Sequence, residues 1–221
     1  MSDFKHILPA DIERASMGII QSELKEMGIS LDPENAAVIL RAIHTTADFG
    51  YAETLRFTPG AVKKGVAALT KGRSIVTDTN MAKAGVSRKT INRLGGDIFC
   101  YMSDEDIISS AKELGVTRAV MSMRKASQAH PDAVYAIGNA PTALIELCGL
   151  IGRGLRPSLI IGVPVGFVNV VESKEMLLGT CTEYGVPAII AMGRKGGSNV
   201  AAAICNALLY TAADMIDPYR R

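Results

Sequence analysis

The sequence has no tryptophan, and phenylalanine and tyrosine make up only 5% of its 221 residues. So few aromatics argue against a stacking platform for single-stranded nucleic acid. Neither sign of charge dominates: Lys+Arg 24 against Asp+Glu 22 leaves a formal net charge of +2, which gives no electrostatic reason to expect a nucleic-acid or membrane-surface protein. Lys, Arg, Asp, Glu or Asn interrupts every apolar run before it reaches membrane-spanning length. The four cysteines, Cys100, Cys148, Cys181 and Cys205, are widely spaced and form no Cys-x-x-Cys pair. That excludes a disulfide scaffold and a structural zinc site, and it fits buried, reduced thiols in a cytoplasmic protein. Met1-Ser2-Asp3-Phe4-Lys5-His6 lacks a basic segment followed by an apolar run, so no secretory leader is expected. The histidines, His6, His44 and His130, are too scattered for a metal site. No strand is followed by a dinucleotide-type glycine fingerprint, and there is no Walker A loop.

Hydrophobic residues amount to 48% and mean hydropathy is +0.20, as in a globular chain with a sizeable core. No repeat and no Gly-, Ser- or Pro-rich linker divides it, so residues 1–221 are expected to form one domain. The first third reads as helical. Ile12, Ala15, Ile19, Ile20, Leu24 and Met27 recur at helical spacing up to Gly28, and Asp32-Pro33-Glu34 signals a second start. A third helix is expected after Thr58-Pro59-Gly60. Short apolar runs then alternate with helical patterns. Strands are expected at 74–77, 97–101, 133–137, 159–163 and 187–191. Helices are expected from Met81 to Leu94 with a break near Gly85, after Ser103-Asp104-Glu105-Asp106, from Thr117 to Ala129, and through Leu144. Two more are expected over 173–183 and 199–213. This pattern predicts an α/β fold: a largely parallel sheet of about five strands, helices on both faces and a helical N-terminal third.

In such a sheet the strand-to-helix loops share one edge, where ligands bind. Here those loops read Thr77-Asp78-Thr79-Asn80, Gly138-Asn139-Ala140-Pro141-Thr142, Pro164 to Asn169, and Gly193-Arg194-Lys195-Gly196-Gly197-Ser198-Asn199. The last is glycine-rich, basic and opens a helix. It suits a phosphate or carboxylate, and it equally suits a tight turn. Asn139 and Asn169 can bind a ligand or tie down their own loops, and Thr142 reads as a helix cap. Repeated amides, hydroxyls and glycines, with no close carboxylate pair and no Ser-His-Asp order, point to a large, oxygen-rich guest.

His44 is the most promising titratable group. If its helix continues, Arg41, His44 and Asp48 share one face at spacings of three and four. Asp48 would then orient the imidazole and Arg41 would hold an anion. Imidazole suits a proton that must be given and taken back near neutral pH. A lone histidine bonded to a backbone carbonyl is the plain alternative.

Several segments together resemble the precorrin-8X methylmutase family. In the first half these are Ile12-Glu13-Arg14-Ala15-Ser16-Met17, Arg41-Ala42-Ile43-His44, Asp78-Thr79-Asn80-Met81, Gly85-Val86-Ser87-Arg88 and Gly115-Val116-Thr117-Arg118-Ala119. In the second half they are Ala136 to Leu144, Gly162 to Val168, Glu172-Ser173-Lys174 and Gly193 to Ser198. The resemblance implies an isomerase of cobalamin biosynthesis. A methyl group would move between adjacent ring-C carbons of (cobalt-)precorrin-8, in what looks like a 1,5-sigmatropic shift, to give hydrogenobyrinate or cobyrinate. It implies no cofactor and no methyl donor, since the methyl group stays on the substrate, and no metal held by the protein. His44 matches the family's catalytic histidine, sharing a proton with a ring nitrogen. Ser16, Arg41, Thr79, Ser87 and Arg118 are expected substrate contacts, and Asn139, Asn169 and Ser198 are added from the loops. The tetrapyrrole's carboxylate arms give the arginines and the helix start at Ser198 a target. The family further implies a homodimer and hand-over to later pathway enzymes; a cytoplasmic location, and neither nucleic acid nor membrane as partner, are the expectations of the composition and charge above. A corrinoid carrier without catalysis is the competing class.

Overall fold

In the computed structural model of the protein, residues 9–214 are described. His6 and the N-terminal segment read above lie outside them. Side chains on a strand alternate between its two faces, so a strand buried on both faces must be apolar throughout and feed two cores. The sequence does this repeatedly. Val134 and Ala136 of one strand, Leu159 and Ile161 of the next and Ile189 and Ala191 of a third point into one core. Their neighbours Tyr135, Ile137, Ile160, Ala188 and Ile190 point into the other.

The strands are β1 (Leu55–Phe57), β2 (Ile75–Thr77), β3 (Ile98–Phe99), β4 (Val134–Ile137), β5 (Leu159–Gly162) and β6 (Ala188–Ala191). They form one six-stranded sheet in the order β1-β6-β5-β4-β2-β3. All neighbours pair parallel except β1, which runs antiparallel to β6 with Leu55 opposite Ala191. The helices are α1 (Pro9–Glu26), α2 (Ala36–Thr46), α3 (Tyr51–Thr54), α4 (Ala61–Thr70), α5 (Asn80–Gly85), α6 (Arg88–Arg93), α7 (Glu105–Glu113), α8 (Arg118–Ala129), α9 (Pro141–Gly152), α10 (Val170–Tyr184) and α11 (Ser198–Ala212). Residues of α1, α2, α4, α5 and α11 fill the first core, and those of α8, α9 and α10 fill the second. The α/β class, the parallel sheet and the helices on both faces are thus as expected.

The differences are local. The sheet has a sixth strand, β1, because Leu55-Arg56-Phe57 pairs along the free edge of β6, a long-range partner that no local pattern announces. The second helix begins at Ala36 rather than at Pro33. Asp32 accepts from the Glu34 N–H (3.0 Å) and the Asn35 side-chain amide (2.8 Å), which holds the segment as a turn before the helix. It also ends at Thr46, because Ala47 adopts a left-handed conformation at φ 53° and returns its N–H to Ile43. The helical face that would have joined Asp48 to His44 is therefore broken. Ser103 does not cap α7. Asp104 holds that position, and the Ser103 hydroxyl accepts from Asn80 instead. Thr142 caps nothing, since Ala140 precedes α9, and its hydroxyl meets that of Thr117 at 3.0 Å.

Candidate active site

Between β2 and β4 the chain changes direction: β2 leads on to β3 at one side, and β4 leads on to β5 at the other. The loops leaving such a pair diverge and open a crevice at the carboxyl ends of the strands. Asp78, immediately after β2, lies in it with 0% exposure. Its carboxylate accepts from the backbone N–H groups of Gly138 (2.8 Å), Asn139 (2.8 Å) and Ala140 (2.7 Å) in the loop after β4. Burial raises this carboxyl above the usual carboxylate range, and the N–H donors offset part of that rise. Thr79, next in sequence, caps α5 by accepting from Ala82 and meets the Ser198 hydroxyl at 2.8 Å. Gly138 packs against the start of α11 so closely that a Cβ on it would stand 2.7 Å from Ser198 Cα and 2.9 Å from the Gly197 carbonyl oxygen. Only glycine fits there.

The loop after β6 is tied from below. Lys174 of α10 has 0% exposure, and its ammonium donates to the carbonyls of Gly193 (2.7 Å) and Lys195 (2.8 Å). Burial lowers its pKa to about 8. This loop also bonds to the one after β5, through Gly197 N–H to the Val163 carbonyl (2.9 Å) and Gly166 N–H to the Arg194 carbonyl (3.3 Å). Lys195 pairs with Asp48 at 2.6 Å, and that hydrogen bond holds the Asp48 carboxyl below its ordinary range against some desolvation. Around the same edge stand exposed apolar side chains: Phe167 (83%), Val168 (77%), Met81 (72%) and Val165 (47%). The Arg194 guanidinium lies 5.5 Å from the centre of the Phe167 ring. Basic and exposed apolar side chains gathered on one edge match a broad, flat ligand with anionic arms better than a small polar one.

Thr79, Ser198 and Asn139 meet at this crevice. Arg118, exposed on the first turn of α8, borders it by donating to the Met102 carbonyl at 3.4 Å, beside the Thr117–Thr142 contact. Asn169 ends the loop after β5 in a left-handed conformation, φ 57°, with its side chain exposed and making no cap bond. Three expected residues lie apart. The Ser16 hydroxyl bonds back to Ile12 within α1. Arg41 pairs with Glu13 at 2.7 Å and covers the Tyr210 ring. Ser87 precedes α6, where its hydroxyl meets Thr90 and its N–H donates to Asn206.

His44 stands half-buried in the last turn of α2. This helix runs antiparallel to α11: Arg41 lies by Tyr210 near the end of α11, and Asp48, beyond α2, reaches Lys195 just before its start. His44 is thus on the turn that approaches the glycine loop. The expectation that Asp48 orients the imidazole fails, because that carboxylate is engaged by Lys195 and the Gly50 N–H (2.9 Å). His130, set aside from sequence, bonds to the Tyr101 hydroxyl at 2.8 Å. Asp78 and Lys174 were missed as site-building residues. A carboxylate directly after a buried strand was one available signal. The other was a lysine on the apolar stripe Val170, Lys174, Leu177, Cys181. Among the described residues no group of three His, Cys, Asp or Glu side chains is placed to hold a metal ion.

A parallel sheet with its strand-end loops gathered about a switch-point crevice defines an α/β protein that binds its ligand at the sheet edge. The comparisons make this specific. The profile of the precorrin-8X methylmutase family matches residues 11–211, and the chain belongs to that family. It is 41% identical over 203 residues to the cobalt-precorrin-8 methylmutase of Priestia megaterium, covering 91% of this chain and 88% of that one. It is 40% identical over 198 residues to the precorrin-8X methylmutase of Pseudomonas aeruginosa, covering 89% of this chain and 93% of the relative. The crystal structure of the precorrin-8X methylmutase from Thermus thermophilus superposes with a TM-score of 0.82 at 35% identity, covering 92% of this chain and 98% of the other.

Proposed function

We propose that this protein isomerises a precorrin-8-type tetrapyrrole, moving a methyl group between adjacent ring-C carbons to give the corrin skeleton. One carbon–carbon σ-bond breaks at the first ring-C carbon, one forms at its neighbour, and the double bonds shift along the ring. Atoms and charge balance with no donor or oxidant. The observation that carries the reading is the family match over residues 11–211, which spans every loop of the crevice. Relatives named for cobalt-precorrin-8 and for precorrin-8X stand at 41% and 40% identity, and the proposed chemistry is common to macrocycles with and without cobalt.

His44 is the catalytic residue of this proposal. Protonating a ring nitrogen selects the tautomer in which the methyl group can migrate, and the proton returns to the imidazole afterwards. The macrocycle lies over Met81, Val165 and Phe167. Its carboxylate arms reach Arg118, Arg194 and the start of α11. Residues 1–221 work as one domain, in the cytoplasm. We place Ser16 and Arg41 in the site through a second copy of the chain. Ile12 (51% exposed) and Ile19 (58%) flank Ser16 at helical spacing on α1, an apolar stripe suited to a homodimer contact. Product then passes to later pathway enzymes.

The test is a titration with cobalt-free hydrogenobyrinic acid, read by visible absorption after gel filtration. The expected result is a coloured macrocycle eluting with a dimer at about one equivalent per chain. Absence of bound colour with hydrogenobyrinic acid, and again with cobyrinic acid, would overturn the proposal.

A further inference from the structure

Lys174 and Asp78 are the charged side chains with 0% exposure among the described residues, and they do opposite things. Asp78 draws the N–H groups of the loop after β4 inward onto a carboxylate. Lys174 draws carbonyls of the loop after β6 inward onto an ammonium. The carbonyl and N–H of one trans peptide point in opposite directions. With the Gly193 and Lys195 carbonyls turned towards Lys174, the N–H groups of Arg194 and Gly196 face away from it. Among the described residues neither has an acceptor, and neither do the N–H groups of Ser198, Asn199 and Val200 at the start of α11. The Arg194 side chain adds positive charge at the same place, whereas the Lys195 ammonium is already paired with Asp48. Among the described residues no carboxylate balances Lys174, and its bonds go to main-chain carbonyls. A buried cation is costly unless it is fully bonded, so its position here calls for more than space filling.

We propose that Lys174 is a positioning residue for substrate: it fixes the Gly193–Gly197 loop in the orientation that presents these free N–H groups to a carboxylate arm of the macrocycle. This rests on the tetrapyrrole reading above, and it adds a residue that never touches the ligand. The interaction is made alike to substrate and to the migrating state, so its loss raises KM and leaves kcat nearly unchanged.

Two readouts separate this proposal from the reading beneath it. On ligand-free protein, Lys174→Met should speed amide exchange at Gly166 and Gly197 about tenfold or more while the sheet keeps its protection. Those N–H groups bond across the two loops and depend on the loop's position. With hydrogenobyrinic acid, the Lys174→Met variant should bind about tenfold or more weakly. The same macrocycle with its carboxylates amidated should bind variant and wild type alike. Lys174→Arg, which keeps charge and donors, should recover part of the loss. Where Lys174→Met fails to fold, Gly196→Ala displaces the same loop from its other side, since a Cβ there collides with the Val163 carbonyl oxygen, and the same rise in KM is expected. Unchanged exchange, or equal weakening for acid and amide, overturns the proposal. If wild type binds neither macrocycle, the tetrapyrrole reading falls, and the exchange result still decides whether Lys174 holds the loop.

Discussion

Buried charge carries the residue-scale account. Asp78 satisfies three N–H groups at once, and removing an acceptor from buried donors costs about 1–3 kcal/mol for each group left unpaired. Asp78→Ala should therefore lose about 3 kcal/mol or more in urea denaturation. A loss within about 0.5 kcal/mol would mean that the loop repairs itself. Lys174 gives a pH signature. Its folded pKa is about 8 against an ordinary 10.5. Between those values the unfolded chain holds a proton that the folded chain has released, so the fold gains stability as pH rises through the window. The contribution is complete above the ordinary value and lost as pH falls through about 8. Wild type should gain on Lys174→Met by at most about 1.4 kcal/mol per pH unit in that window, read by urea denaturation. A difference independent of pH would contradict a desolvated ammonium. None of the three buried cysteines competes for a role: burial raises the Cys148 thiol and pushes those of Cys181 and Cys205 up to about 12, which keeps them protonated and inert.

At the scale of elements, the site depends on how closely loops and helix starts approach one another. Gly138→Ala would push the β4–α9 loop away from α11, because its Cβ meets main-chain atoms that cannot move aside. We expect a loss of about 1–3 kcal/mol in thermal or urea unfolding, together with a raised KM. Unchanged stability and KM would show that the crevice tolerates the displacement. Here too lies the boundary of what was legible in the sequence. The strands β2 to β6 and the helices α4 to α11 were readable because apolar runs and helical periodicity are local signals. The strand β1 was not, since three residues become a strand only by pairing with β6. The end of α2 was hidden in the same way: Thr45-Thr46-Ala47-Asp48 carries no glycine or proline, yet Ala47 turns left-handed. That single backbone choice sends Asp48 to Lys195 and leaves His44 without the expected carboxylate. Of the residues gathered at the crevice, Asn139 and Ser198 were named from their loops and Thr79 from the family resemblance. Lys174 and Asp78 act through main-chain groups, and those partners have no sequence signature.

For the whole molecule, the sheet edge, the apolar collar of Met81, Val165, Phe167 and Val168, and the basic glycine loop form one surface that suits a large anionic ring. The family match and the 0.82 TM-score to a solved precorrin-8X methylmutase agree with that shape. A carrier would share all of it except the need for a proton-handling group. The decisive measurement is anaerobic incubation of (cobalt-)precorrin-8 with the wild-type protein and with His44→Ala, followed by visible absorption and mass. Wild type should convert the spectrum to that of a corrin at constant mass. His44→Ala should bind the substrate within a few-fold of wild type and turn it over at least about 100-fold more slowly. A wild-type protein that binds the substrate and leaves its spectrum unchanged, or a His44→Ala variant that turns over at the full rate, would contradict the account.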